Sequence, residues 1–212
     1  MAREVSSSRR QMPRVAAGYF DRTPVRRVAA LLAAGGIAVL PTDTIYGFHC
    51  AASHLEAVES IRRLKRSGAR CGFILLAAGM EMADSLVARW PGGSRSLLSG
   101  IWPAPLTAIL PARKAVPEIL ASRRSVALRI PAHEELRALV EALGEPLVST
   151  SVNIVGRAPV TRIAEAQRAF PGLDAYLSRR GRATALPSTV VDFRFGEPRL
   201  IRRGVFRWPA DG

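Results

Sequence analysis

Three short polar segments in the 212-residue sequence carry the side chains best suited to chemistry. Pro41-Thr42-Asp43-Thr44-Ile45-Tyr46-Gly47 follows the apolar residues 37–40, and Ser149-Thr150-Ser151-Val152-Asn153 follows Leu147-Val148. The third, Pro187-Ser188-Thr189, leads into the apolar residues 190–193. Each is dense in hydroxyls and adjoins a run that reads as a buried strand. Ligands of open α/β sheets sit outside strand ends, where loops offer hydroxyls and backbone N–H groups. Ser, Thr, Asn and Asp are equally favoured in turns and helix caps, so one such segment would carry little weight. Three of them, in a chain that also has Lys65, Arg129 and Arg202, point to one shared site for an anionic ligand. Other chemistries lack their signatures. There is no G-x-x-x-x-G-K-[ST] loop, no G-x-G-x-x-G, no G-x-S-x-G and no metal-spaced His/Cys set. His49, His54 and His133 are scattered, which suits surface or capping roles, and Cys50 and Cys71 read as small buried residues. Nucleophilic and metal-centred hydrolysis therefore rank low, and no metal ligands are assigned.

Helix-like and strand-like segments alternate around these loops, which favours an α/β fold. Helices are expected over 26–34 (closed by Gly35-Gly36), 55–66, 82–89, 94–101, 134–143 and 163–170. In the second, Ala57, Val58, Ile61 and Leu64 share one face and Arg62, Arg63 and Lys65 lie off it. Strands are expected over 37–40, 73–76, 106–110, 126–130, 147–149, 190–193 and 199–201. No repeat, low-complexity tract or linker interrupts the order. The reading is a basic arm over 1–18 and a single domain over 19–212, with a twisted mixed parallel/antiparallel sheet flanked by helices.

Composition narrows the class. Apolar residues make up 48% and charged residues 23%, the balance of a globular protein. The longest nearly uninterrupted apolar stretch, 28–40, has 13 residues, whereas a spanning helix needs about 20, so no membrane span is expected. The N-terminal arginines have no apolar run behind them, and two cysteines make no disulfide framework, so the expected compartment is the cytosol. The net charge is +14, and 29 of the 31 basic residues are arginine, a skew that genomic base composition explains most simply. A surface so positive still suits a polyanionic partner. The charge clusters: residues 1–30 hold seven Arg and residues 175–207 hold eight.

Over residues 25–204 the chain resembles the YrdC-like family of L-threonylcarbamoyladenylate synthases. The words that carry the resemblance are P-T-D-T-I-Y-G at 41–47, a helix ending at Lys65 before G-F-I-L-L at 72–76, and W-P-A-P-L-T at 102–107. They continue with S-V-A-L-R-I-P-A-H at 125–133, P-L-V-S-T-S-V-N at 146–153, P-S-T-V-V-D at 187–192 and I-R-R-G at 201–204. Each is short; their order and spacing together are specific. The resemblance implies a reaction that joins L-threonine, bicarbonate and ATP into threonylcarbamoyl-AMP and pyrophosphate, for the modification of tRNA. Mg²⁺ is implied as a companion of the phosphates, held by them and by water. The implied partners are tRNA or double-stranded RNA on the basic surface and downstream tRNA threonylcarbamoyl transferase proteins. Such a reaction needs two anions positioned and neutralised more than it needs a triad.

Carried over by matching position, Thr44 and Lys65 are the expected catalytic pair. Thr44, Tyr46, Arg129, Ser149 and Ser188 are expected on the amino acid, with Arg129 pairing its carboxylate. Lys65, Arg66, Ser67, Arg70, Ser125, Ser151, Asn153 and Arg202 are expected on the nucleotide. The chain departs from the family where Lys-x-Arg becomes Lys65-Arg66-Ser67, where Cys71 replaces a polar or basic residue, and at Ala104 and Val152. Either Arg66 or Arg70 then supplies the missing phosphate charge by a shifted loop path, or ATP binding is weakened. Two other readings stay open: a non-catalytic RNA-binding member of the same fold with a decayed ATP site, and an enzyme that makes a carbamoyl-adenylate from another amine.

Overall fold

The computed structural model describes residues 15–67, 72–180 and 186–209. Among them ten strands form one sheet: β1 (Gly18–Tyr19), β2 (Ala38–Leu40), β3 (Gly47–Ala51), β4 (Ile74–Leu76), β5 (Leu106–Pro111), β6 (Ser125–Arg129), β7 (Leu147–Ser151), β8 (Ala175–Ser178), β9 (Thr189–Asp192) and β10 (Arg199–Arg202). Their order across the sheet is β1-β8-β2-β3-β7-β4-β6-β5-β9-β10. The pairs β1/β8, β2/β8, β4/β6 and β5/β9 are parallel and the rest antiparallel, which makes the sheet mixed, as expected.

Six helices flank it: α1 (Val25–Ala33), α2 (Leu55–Leu64), α3 (Met80–Leu86), α4 (Ser94–Ile101), α5 (Glu134–Leu143) and α6 (Ile163–Ala169). Two of them, α4 and α5, have the bounds read from the sequence, and the other four differ by one to three residues at an end. Three strands escape a pattern reading. Strand β1 has two residues, β3 is buried throughout and shows no alternation, and β8, though its burial alternates, is only four residues long. β1 begins at Gly18, the last residue of the expected arm, and residues 1–14 of that arm lie outside the described residues.

Strand alternation sorts the side chains onto two faces. One face carries Val39, Phe48, Cys50, Leu75, Leu128, Ala108, Val148 and Val191, packed in one core with Val58 and Ile61 of α2, Leu98 of α4 and Ala166 of α6. The other face divides. From the β1, β8 and β2 end across to the tips of β7 and β4, Ala38, Leu40, Leu76, Leu147, Ala175 and Leu177 pack under the paired helices α1 and α5. Farther across, no described helix covers it. The register there aligns Ile74 with Ala127 and Ser149, and Ala127 with Ile109. These three apolar side chains are only half-buried, unlike their neighbours on the opposite face. The sheet therefore leaves a bare floor, and every polar strand-end segment of the sequence borders it.

Candidate functional site

Two cavities open on this floor. The smaller, about 160 Å³, is walled by Thr42, Thr44, Tyr46, Arg129, Ser149 and Ser188, with Ser151 and Arg202 on its rim. The larger, about 880 Å³, is bounded by β5, β6 and the basic residues Arg113, Lys114, Arg123 and Arg124. Gly72, just before β4, borders both. The first has room for roughly five waters and the second falls in the range of nucleotide-sized ligand pockets.

Arg129 ends β6 and is buried to 2% exposure. Its partners are loose. Nη2 lies 3.4 Å from Asp43 Oδ1, Nη1 donates to Thr44 Oγ1 over 3.4 Å, and the buried Nε–H has no acceptor among the described residues. Burial pulls the guanidinium below its usual pKa, and the Asp43 carboxylate works against that shift. A buried cation with long contacts and one orphan donor is under-coordinated, and a second anion in the cavity would complete it. Asp43 is itself fixed by the Ala132 N–H, which donates to Oδ2 over 3.0 Å.

Thr44 is set by its own turn. Thr42 Oγ1 accepts the Thr44 N–H over 3.0 Å and donates to Ile45 O over 2.8 Å, which folds 41–47 back on itself. Tyr46 is buried, and its hydroxyl accepts the Arg179 N–H over 3.3 Å. Ser188 is held from two sides. Its hydroxyl meets Thr107 Oγ1 at 2.9 Å, and Arg202 donates through Nη2 to Ser188 O over 2.9 Å. Burial and the nearby Arg129 charge lower the Arg202 pKa. Thr107, fully buried in the W-P-A-P-L-T word, is a supporting residue that motif reading does not reveal.

Gly204 explains the end of the I-R-R-G word. A Cβ there would come within 2.5 Å of Thr189 N and closer still to Pro187 O and Ser188 C. All three are backbone, so nothing can swing aside. Gly204→Ala should cost about 1–3 kcal/mol through overpacking, read as a fall in urea-unfolding free energy, and should displace Ser188. Unchanged stability would contradict this close approach.

Lys65 caps the C-terminal end of α2 and is buried. Its ammonium donates to Ser151 O (2.6 Å), Asn153 O (3.1 Å) and Asn153 Oδ1 (2.9 Å), with Ser151 Oγ at 3.4 Å. The lysine thus ties the S-T-S-V-N segment to α2; of the residues it holds, Ser151 lines the smaller cavity, whereas Lys65 and Asn153 themselves line neither cavity. Ser125 lies in the larger cavity, with its hydroxyl donating to Ser122 O. Arg66 and Ser67 line neither cavity. Arg66 sits in the left-handed region (φ 50), and Ser67 turns its hydroxyl back to Arg62 O over 3.1 Å, closing the helix. Arg70 and Cys71 lie outside the described residues.

His49 departs from the sequence expectation of a surface or capping histidine. It is wholly buried in β3, directly across from Ser149 of β7, and its Nε2 lies 3.2 Å from Ser149 Oγ. Burial first, and the Arg129 charge second, press its pKa down to about 3, so the ring is neutral. His54 and His133 do stand at the N-caps of α2 and α5. Cys50 is buried, and desolvation raises its thiol to about 12, which makes it inert.

Comparison with known proteins agrees with this arrangement. The Sua5/YciO/YrdC family model, described as "Telomere recombination", matches residues 30–204. The threonylcarbamoyl-AMP synthase of Nitrosococcus oceani is 36% identical over 175 residues, which cover 82% of this chain and 95% of that protein. Among solved structures, P. abyssi Sua5 complexed with L-threonine superposes with a TM-score of 0.81 at 29% identity, covering 90% of this chain. The chain spans only 58% of that protein. E. coli YciO has a TM-score of 0.75 at 26% identity, with 85% of this chain and 89% of that one covered. With the family words lying on the strand ends that wall the two cavities, the chain belongs to the Sua5/YciO/YrdC family.

Proposed function

We infer that the protein is a threonylcarbamoyl-AMP synthase, a nucleotidyltransferase that consumes L-threonine, bicarbonate and ATP. The observation that carries the reading is the under-coordinated Arg129 at the wall of an amino-acid-sized cavity, beside a larger basic one, in a chain whose curated relatives bear that name. In this reading Arg129 takes the threonine carboxylate, and Thr44, Tyr46, Ser149 and Ser188 shape the pocket around it. The triphosphate and base take the larger cavity, with Ser125 inside it, while Ser151 and Arg202 line the smaller one and Lys65 and Asn153 stand behind Ser151.

The amine and bicarbonate give a carbamate and water. A carbamate oxygen then attacks the α-phosphorus of ATP, and pyrophosphate leaves. The protein's part is to bring two anions together and neutralise them, which Arg129 and Arg202 at the smaller cavity and the arginines of the larger one are suited to do. Lys65 serves by fixing the 151–153 segment, of which Ser151 lines the smaller cavity. Mg²⁺, a hard cation that prefers phosphate oxygens and water, would enter on the triphosphate. Among the described residues the carboxylate that faces Arg129 is Asp43, at 3.4 Å.

Pyrophosphate release with ATP and bicarbonate, with and without threonine, tests the reading. Release that depends on threonine is the expected result. Release with another amine instead would favour a different carbamoyl-adenylate, and none with any amine would overturn catalysis.

The tRNA pathway supplies the further partners in this reading: RNA on the arginine-rich surface, a downstream threonylcarbamoyl transferase, and the cytoplasm as compartment. No helix among the described residues is long and apolar enough to cross a membrane. At the β9/β10 edge, exposed Phe195 lies under Arg194 and Arg199, 5.0 and 5.7 Å from its ring centroid. Binding there should weaken steeply with salt, because neutralised phosphates release counterions. Deleting residues 1–18 should flatten the salt slope and spare adenylate synthesis; an unaltered slope would remove the arm from the contact.

A further inference from the structure

We propose that His49 is a positioning residue of the amino-acid pocket, holding the Ser149 hydroxyl so that it donates its proton into the cavity. The proposal rests on the reading of that cavity as the threonine site.

The placement follows from register. β3 and β7 pair antiparallel with His49 opposite Ser149 and Gly47 opposite Ser151, so all four side-chain positions share the face that carries the cavity. Ser149 reaches the cavity wall, and His49 lies wholly buried against it. The ring fits because Gly47 has no side chain. A Cβ at 47 would stand 2.7 Å from His49 Cε1, 3.0 Å from Nε2 and 3.2 Å from Ser149 Oγ. The imidazole edge and the serine hydroxyl thus occupy the slot that the glycine leaves, next to the wall where Thr44 and Arg129 stand.

The direction of the hydrogen bond follows from what each ring nitrogen meets. Nδ1 is buried with no partner in hydrogen-bond geometry among the described residues, whereas Nε2 faces Ser149 Oγ at 3.2 Å; the Gly47 backbone, which favours the protonated ring, meets neither ring nitrogen in that geometry. A neutral imidazole has one N–H, and a buried N–H left without an acceptor is the rarer and costlier orphan. The proton therefore sits on Nε2 and is donated to Ser149 Oγ, leaving only a lone pair unmet at Nδ1. A serine that accepts from below keeps its own O–H for the open side. There it offers a donor to an oxygen of the bound amino acid, next to the Arg129 donors. Arg129 also disfavours a second proton on the ring, which keeps the arrangement fixed. Without the imidazole the hydroxyl would rotate freely between donor and acceptor roles, and the pocket would lose its preset polarity.

Two measurements on the full chain decide the proposal. Long-range ¹H–¹⁵N spectra should show His49 as the Nε2–H tautomer from pH 8 to pH 5; an Nδ1–H tautomer would overturn it. Calorimetric threonine affinity should fall about tenfold in His49→Leu and in Ser149→Ala, the loss of one hydrogen bond. The double variant should bind no worse than either single one, because both remove the same contact. His49→Gln, whose amide N–H can replace Nε2–H, should recover to within about threefold of the parent, and ATP affinity should hold throughout. Additive losses, or a His49→Leu protein that binds threonine normally, would refute the role. Should the leucine variant not fold, the tautomer and the glutamine variant still decide. A parent protein that binds no threonine sinks the reading of the cavity itself, and the tautomer then judges the His49–Ser149 arrangement alone.

Discussion

Arg129→Ala should abolish threonine binding and leave much of the ATP affinity intact. The guanidinium is buried, already carries one carboxylate at 3.4 Å, and has no acceptor for its Nε–H among the described residues. Removing a desolvated charge that pairs with a ligand carboxylate costs about 2–5 kcal/mol, more than enough to move a substrate out of its working range. The loss has a second component. Asp43 would keep its bond from Ala132 N–H but lose its cation, leaving a buried carboxylate uncompensated. Part of the damage should therefore appear as lower stability, and Arg129→Ala combined with Asp43→Asn should regain stability without regaining threonine binding. Titration calorimetry with threonine and with ATP separates the two effects. Unchanged threonine affinity would remove Arg129 from the pocket's chemistry.

The second large effect concerns acid. The unfolded chain protonates the His49 imidazole near its ordinary pKa of 6.5, whereas the folded chain resists until about pH 3. Between those values the unfolded state binds more protons. Stability therefore rises with pH, is fully present above the unfolded value, and drains away on acidification. One such group contributes a slope of at most about 1.4 kcal/mol per pH unit. Other groups also titrate in that window, so the parent curve alone proves nothing. Compared with His49→Gln, which carries no titrating ring, the parent should be favoured most at neutral pH, and its advantage should shrink steadily toward pH 4. Urea unfolding of both proteins across that range reads the difference directly. Parallel curves would mean that the imidazole is not held neutral in the fold.

How far the sequence speaks depends on whether the deciding contacts are local. The helices α4 and α5 are legible to the residue because their apolar spacing and flanking glycines, Gly93 and Gly144, act within a few positions. Most core strands are legible as short apolar runs. β3 is not. Gly47-Phe48-His49-Cys50-Ala51 has no β-branched residue and is buried on both faces, so it shows neither alternation nor a strong strand preference. That omission hid His49, because only pairing with a segment 100 residues later brings it to Ser149. The cavity residues themselves were within reach, since strand ends and family words both mark them. Their supports were not. Thr107 beneath Ser188, Asp43 beside Arg129 and Gly204 against 187–189 act through pairings that no window of sequence contains. The same limit applies to Ser67, whose hydroxyl completes the end of α2 rather than facing a ligand.

The strand order has a consequence for how the protein comes into being. Each wall of the smaller cavity is a neighbour in space but a stranger along the chain: β3 waits for β7, β5 waits for β9, and Ser188 is clamped only once Arg202 has arrived. During synthesis the first half of the chain can form α1, α2 and scattered hairpin pieces, but it has no pocket to offer a substrate. Such non-local pairing makes folding slow and leaves apolar edges open for longer. A ligand therefore cannot template the early steps and can only trap the finished fold, so truncation anywhere before residue 202 should yield a chain in need of chaperones rather than a smaller enzyme.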